Sequence, residues 1–210
     1  MNGLLSITVG ALLEQVADLY PNDQAIKYTD RPYDRTWREF DDEVNRIAKG
    51  LLAIGIGKGD HVAIWATNVP EWLLTLFATA KIGAVLVTVN TNYKVFELEY
   101  LLRQSDSKAL VLIDGLKDAN YVDIVNELCP TLKDCAPGAY ENPMLPFLGD
   151  IIYAGKKRRR PVCMDGAIWK SSASVSLTNS FAPFSTAWTH RTLQICSIPP
   201  VPPDSPRVLC

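Results

Sequence analysis

The sequence predicts an α/β fold, a mostly parallel sheet with helices on both faces. Three observations carry this. His61–Ala66, Ala84–Val89 and Ala109–Ile113 are short, apolar, Val/Ile/Leu-rich runs with little polar alternation, as strands covered on both sides must be. Segments with apolar residues at helical spacing lie between them. Composition is that of an ordinary globular chain, 48% apolar and 21% charged over 210 residues, which excludes collagen-like, disulfide-scaffold and wholly disordered classes.

Taken in order, Thr8 can cap a helix whose apolar face is Val9, Leu12, Leu13, Val16 and Leu19, stopped near Pro21. Ala25–Thr29 and the stretch before Thr36 form two short strands joined by a turn around Asp30 to Pro32. Thr36-Trp37-Arg38-Glu39 is a capping box opening a helix with Phe40, Val44, Ile47, Ala48, Leu51 and Leu52 on one face. Gly55 is its C-cap. The strand His61–Ala66 follows, then a helix over Pro70–Ile82 with Pro70 near its start. Ala84–Val89 is a strand, Glu97–Gln104 a helix, Ala109–Ile113 a strand, and Ala119–Leu128 a helix that ends before Pro130.

Charge and composition change abruptly near Lys157. Residues 1–157 hold 21 Asp and Glu against 15 Lys and Arg, whereas residues 158–210 hold 2 against 6. The latter stretch also has 7 of the 14 prolines and only Gly166 of the 12 glycines. The domain reading is therefore 1–157 as a folded unit and 158–210 as a disordered tail. A net charge of -2 argues against a nucleic-acid partner. No apolar run is long enough to span a bilayer, and MNGLLSITVGALLEQ lacks the basic leader of a signal peptide. Five cysteines without a CxxC pair or a Cys/His cluster read as free thiols of a cytoplasmic protein.

Chemistry is sparse. GIGKGD (Gly55–Asp60) is neither a P-loop nor a G-x-G-x-x-G turn. It runs from a helix into a strand, the wrong way for helix N-terminal amides to hold phosphate, so it reads as a C-cap plus turn. Glu14, Asp41, Asp42 and Glu43 fall on helix faces with basic neighbours and read as solvated. Trp72 and Phe77 read as core. His61 and His190 are isolated, so no Ser/His/Asp set is legible. The sequence assigns no catalytic, cofactor-binding or metal-ligating residue.

Residues 8–154 resemble the N-terminus of an acyl-CoA synthetase of the adenylate-forming (AMP-binding) superfamily. The most specific stretch is NVPEWLLTLFATAKIGAVLVTVNTNYKVFELEYLL (Asn68–Leu102), within which AKIGAVLVTVN matches the family's second core motif. RTWREFDDEVNRIAKGL (Arg35–Leu51) matches the first, and GIGKGDHVAIWATNVPEW links them. The wording is most similar to medium- and long-chain fatty-acid ligases. The resemblance implies a partial N-terminal domain of an enzyme that activates a carboxylate with Mg-ATP to an acyl adenylate, then transfers the acyl group to CoA. It implies ATP, Mg and CoA as cofactors of a full-length member, with fatty acid, ATP and CoA as partners, and a homo-oligomer or pairing with an intact ligase as further options. It supplies no catalytic residue here, because the family's triphosphate loop and its later aspartate, acidic and lysine residues have no counterpart in these 210 residues. The chain itself is expected to bind none of these cofactors and to be inactive.

The genetic code gives the tail a second reading. If one nucleotide was lost near Lys157, or two gained, each intended codon joins the third base of one residue's codon to the first two of the next. Met164-Asp165 then forces Gly, Trp169-Lys170 forces Glu and Trp188-Thr189 forces Asp. Between Ile195 and Cys210 the allowed wobble choices spell M-Q-Y-T-S-G-T-T-G-F-P-K-G-V-M, which is similar to the family's phosphate loop. RRRPVCMDGAIWK likewise decodes as T-P-A-G-M-Y-G-W-x-D-M-E. Two other readings stay open. One is a non-catalytic binding or regulatory module. The other is an unrelated α/β protein whose basic, Pro-rich tail is genuine, with Lys156–Pro161 as a polyanion-binding patch and IPPVPPDSP as a polyproline ligand.

Overall fold

The computed structural model describes residues 6–132 and 141–155. The tail reading, the boundary at 157, His190 and Cys135, Cys163, Cys196 and Cys210 lie outside the described residues. Element order is α1 (Val9–Leu19), β1 (Gln24–Tyr28), β2 (Tyr33–Thr36), α2 (Trp37–Ala53), β3 (His61–Trp65), α3 (Pro70–Ile82), β4 (Val85–Thr88), α4 (Val95–Gln104), β5 (Ser107–Leu112), β6 (Gly115–Leu116), β7 (Ala119–Asn120), α5 (Tyr121–Leu128) and β8 (Asp150–Tyr153).

The expected caps form because each is a local hydrogen-bond problem. The Thr8 hydroxyl accepts from the Ala11 N–H at 3.2 Å. Thr36 and Glu39 make both halves of the capping box, at 3.3 and 2.9 Å. At the end of α2 the Gly55 N–H donates to Leu52 O and the Ile56 N–H to Leu51 O, a Schellman pair that needs Gly55 at φ +83°. Pro70 opens α3 and Gly83, at φ +72°, closes it.

β1 and β2 pair antiparallel as a separate ribbon. The main sheet has the order β4-β3-β5-β8, all parallel. Right-handed crossovers then put α3 on one face and α4 and α5 on the other. α1 and α2 pack with α3, whereas α4 packs with α5. Val62, Ala63, Ile64 and Trp65 of β3, and Ala109 to Leu112 of β5, are at most 1% exposed, as central strands covered on both faces require. No described helix is long and apolar enough to cross a membrane.

Among the departures from the sequence expectations, four concern how elements start, pack or pair. α1 buries Gly10, Leu13 and Ala17, while Leu12 and Leu19 are exposed. Its contact face is set by close approach, since a Cβ on Gly10 would sit 2.9 Å from Lys81 Cα. α4 starts two residues early because the Glu97 carboxylate accepts from the Lys94 N–H at 3.1 Å. α5 starts at Tyr121, since Ala119 and Asn120 pair with Gly115 and Leu116, and Asn120 Oδ1 caps the helix at Val122 and Asp123. The fourth is β8, which was not expected as a strand. All four of its residues are buried by pairing with β5.

Candidate functional site

In a parallel sheet the place for a ligand is the carboxyl end of the strands, where the chain order reverses. Here the chain goes from β3 to β4 on one side and then back across to β5 on the other. The reversal therefore lies between β3 and β5, beneath the segments that follow Trp65 and Leu112.

That crevice is filled by an aromatic pair. Trp65 ends β3 and Tyr121 begins α5, and their rings stack at 3.9 Å with planes 10° apart. Both are fully buried. Trp65 Nε1–H donates to Asn90 O at 3.1 Å and the Tyr121 hydroxyl donates to Thr91 O at 2.9 Å, so both polar tips are held by the segment after β4. Burial pushes the Tyr121 phenol above its ordinary pKa, which keeps this donor protonated. Beside them the Tyr153 hydroxyl donates to Asp114 Oδ1, joining the ends of β8 and β5. Ile113 N–H to Trp65 O (3.3 Å) and Tyr121 N–H to Asp114 O (3.2 Å) complete the tie. The arrangement ties the segment after β4 to the carboxyl ends of β3 and β5.

The residues weighed from sequence sit elsewhere. Gly55–Asp60 lies at the amino end of β3, away from the crevice. Asp60 Oδ2 accepts from the Gly57 N–H at 2.8 Å, and Lys108 Nζ is held by Gly55 O at 2.8 Å and by Asp60 at 3.1 Å. The turn is thus satisfied within the chain, in keeping with its reading as a cap and turn. His61 is at that same end, its Nδ1–H donating to Ser105 O. Trp72 and Phe77 pack on the core, Phe77 edge-on to Phe40 at 5.5 Å. Among the described residues no group of His, Cys, Asp and Glu could hold a metal ion.

Of the four carboxylates read as solvated, Glu14 is exposed, but Asp41 and Glu43 need correction. Asp41 is 4% exposed, and its Oδ1 lies 2.7 Å from Lys81 Nζ. Lys81 also donates to Asn45 Oδ1 (2.7 Å) and Glu14 Oε1 (3.0 Å), and Asn45 Nδ2 donates to Asp41 Oδ2 (2.8 Å). This network joins α1, α2 and α3 across 67 residues of chain, so only the folded chain reveals it. Glu43 is largely covered as well, accepting from Arg35 Nε and the Tyr33 hydroxyl at 2.7 Å each. Burial and this bond together push the Tyr33 phenol far above its ordinary range. Asp42 is exposed, as expected.

Comparison with known proteins follows the same outline. The profile of the AMP-binding enzyme family matches residues 13–157. The Bacillus subtilis (strain 168) protein described as an acyl-CoA synthetase, YngI, is 54% identical over 158 residues, covering 75% of this chain and 29% of its own length. The medium-chain acyl-CoA ligase ACSF2, mitochondrial, of Danio rerio is 36% identical over 149 residues, 71% of this chain and 25% of its own. The N-terminal domain of FACL13 from Mycobacterium tuberculosis superposes with a TM-score of 0.58 at 28% identity, covering 70% of this chain and 34% of that domain. The chain thus spans between a quarter and a third of the length of the relatives it matches. With the family profile covering well over half of its residues and a fold that superposes on the N-terminal domain of FACL13, this chain belongs to the AMP-binding enzyme family.

Proposed function

We propose that residues 1–157 are the first part of the large domain of an ATP-dependent fatty-acid–CoA ligase, and that the reading frame changes at the Lys156-Lys157 codons. The complete enzyme joins a fatty-acid carboxylate to ATP, forming an acyl adenylate and releasing pyrophosphate. It then passes the acyl group to the CoA thiol and releases AMP. The observation that carries this reading is the 54% identity to an acyl-CoA synthetase over 158 residues.

Among the described residues, the glycine-rich turn does not fit the triphosphate. That turn, Gly55–Asp60, has its Gly57 amide and the Lys108 ammonium beside it bonded within the chain. A triphosphate needs free amides and an ammonium facing it. Residues 6–132 and 141–155 serve as scaffold. They hold the sheet layer on which the rest of the large domain would rest, and the 210-residue chain as written is inactive in acyl adenylate formation.

The test is ATP–pyrophosphate exchange with a series of straight-chain fatty acids, on two proteins. The first is the 210-residue chain. The second is translated from the same gene with one nucleotide added at the Lys156-Lys157 codons and its downstream sequence retained. Exchange by the second alone is expected. Exchange by the pure 210-residue chain would overturn its assignment as inactive, and silence of the soluble, full-length second protein would overturn the ligase reading.

A further inference from the structure

The family match ends at residue 157, and the last hydrogen bond of the main sheet, from the Ala154 N–H to Leu112 O at 2.8 Å, falls just before it. Residue 155 is a glycine, and a Cβ there would crowd the Tyr153 hydroxyl, which would have to move aside. The codon before the lysine pair is therefore GGN, free only in its third base. Lys156-Lys157 is the only Lys-Lys pair in the chain. Lysine codons are AAA and AAG, so GGN is followed by six bases of which four, five or six are A.

We propose that the codons of Gly155-Lys156-Lys157 are a ribosomal slippage site, at which a fraction of ribosomes steps back by one nucleotide. One message then yields both this chain and a ligase-length product. The inference rests on the displaced-frame reading above. Two features agree with it, the second belonging to the displaced-frame reading itself. First, after a backward step the tRNA on Lys157 re-pairs with the third base of the Lys156 codon followed by AA, which is again a lysine codon when that base is A. The tRNA on Lys156 re-pairs with the last Gly155 base followed by AA, and pairs fully when the glycine codon is GGA. Few other dipeptides permit such re-pairing. Second, the direction agrees. A backward step of one nucleotide makes every later codon the third base of one residue's codon plus the first two of the next. That is the frame in which Ile195 to Cys210 spell M-Q-Y-T-S-G-T-T-G-F-P-K-G-V-M. A forward step would give the other frame.

The position also suits two products. The slip follows the strand β8, so both would carry the same four-stranded sheet and diverge only after it is complete.

The experiment places the codons of 148–165 between two reporters, the downstream one in the minus-one frame, in the native host. A second version carries the synonymous codons GGC-AAG-AAG, which leave the protein unchanged but block re-pairing. The downstream reporter should appear from the native codons and be lost on recoding, and the junction peptide should be found by mass spectrometry. Equal downstream signal from both versions, or none from either, would overturn slippage. So would a transcript with an additional nucleotide at these codons. Sequencing that transcript past the Cys210 codon separates the two ideas. A minus-one frame that continues into a ligase while the reporter is silent removes slippage alone. A frame that does not continue removes the displaced-frame reading beneath it.

Discussion

Replacing Lys81 by methionine isolates what the buried network contributes. Lys81 and Asp41 side chains are 7% and 6% exposed, and Nζ lies 2.7 Å from the carboxylate. Lys81→Met removes the only cation beside Asp41 in this network and strands a buried negative charge, a change that costs about 3–5 kcal/mol. An exposed pair would be worth roughly 0.2–1 kcal/mol, so the two cases separate cleanly. For a domain stable by about 5–15 kcal/mol this is a large share. With a urea slope of about 1–3 kcal/mol/M, the unfolding midpoint should fall by about 2 M. Urea titration followed by tryptophan fluorescence reads this, because Trp65 lies in the core. The control is the double variant Lys81→Met/Asp41→Leu. Removing both charges leaves no orphan, and half-buried Asn45 can turn to water, so most of the loss should return. A single variant that costs no more than a surface pair, or a double variant no more stable than the single, would refute the assignment of the charge pair as buried and mutually compensating.

Three further outcomes are expected. Burial raises the Asp150 carboxyl above its ordinary 3.8, so the folded chain resists ionising it. Its contribution to stability is full below pH 3.8 and is lost as pH climbs through the raised value; Asp150→Asn should flatten that part of a stability–pH curve, and an unchanged curve would contradict the shift. Thr36→Ala breaks the capping box and should lower stability by about 1 kcal/mol in the same urea titration, whereas Asp42→Ala on the exposed face should change it by less than about 0.5 kcal/mol. Gly83→Ala forces a side chain into the left-handed region at φ +72° and should cost roughly 1–2 kcal/mol, an effect absent at Gly57, whose φ is not positive.

How much of this was legible follows from the range of the forces involved. Thr8, Thr36 with Glu39, Pro70 and Gly55 announce helix ends because each cap closes over three to five residues, well within one window of sequence. β3, β4 and β5 announce themselves because burial on both faces demands unbroken apolar runs. β8 offers only Ile151, Ile152 and Tyr153 after a stretch with Pro143, Pro146 and Gly149, too short a signal by itself. Its burial comes from pairing with β5, some forty residues earlier. The rotation of α1 onto Gly10 was hidden for a related reason, since close helix approach selects a small residue that hydrophobic periodicity ignores.

The sequence by itself determined the fold class, the starts of α1, α2 and α3, and the family resemblance. Those depend on neighbours along the chain. Tertiary structure alone decided the strand order β4-β3-β5-β8, the Trp65–Tyr121 stack over the reversal point, and the burial of Asp41 against Lys81. A charge's environment depends on what folds over it, and for Asp41 that is a helix beginning 29 residues later, at Pro70. No local pattern distinguishes a carboxylate that will meet water from one that will meet an ammonium in the core.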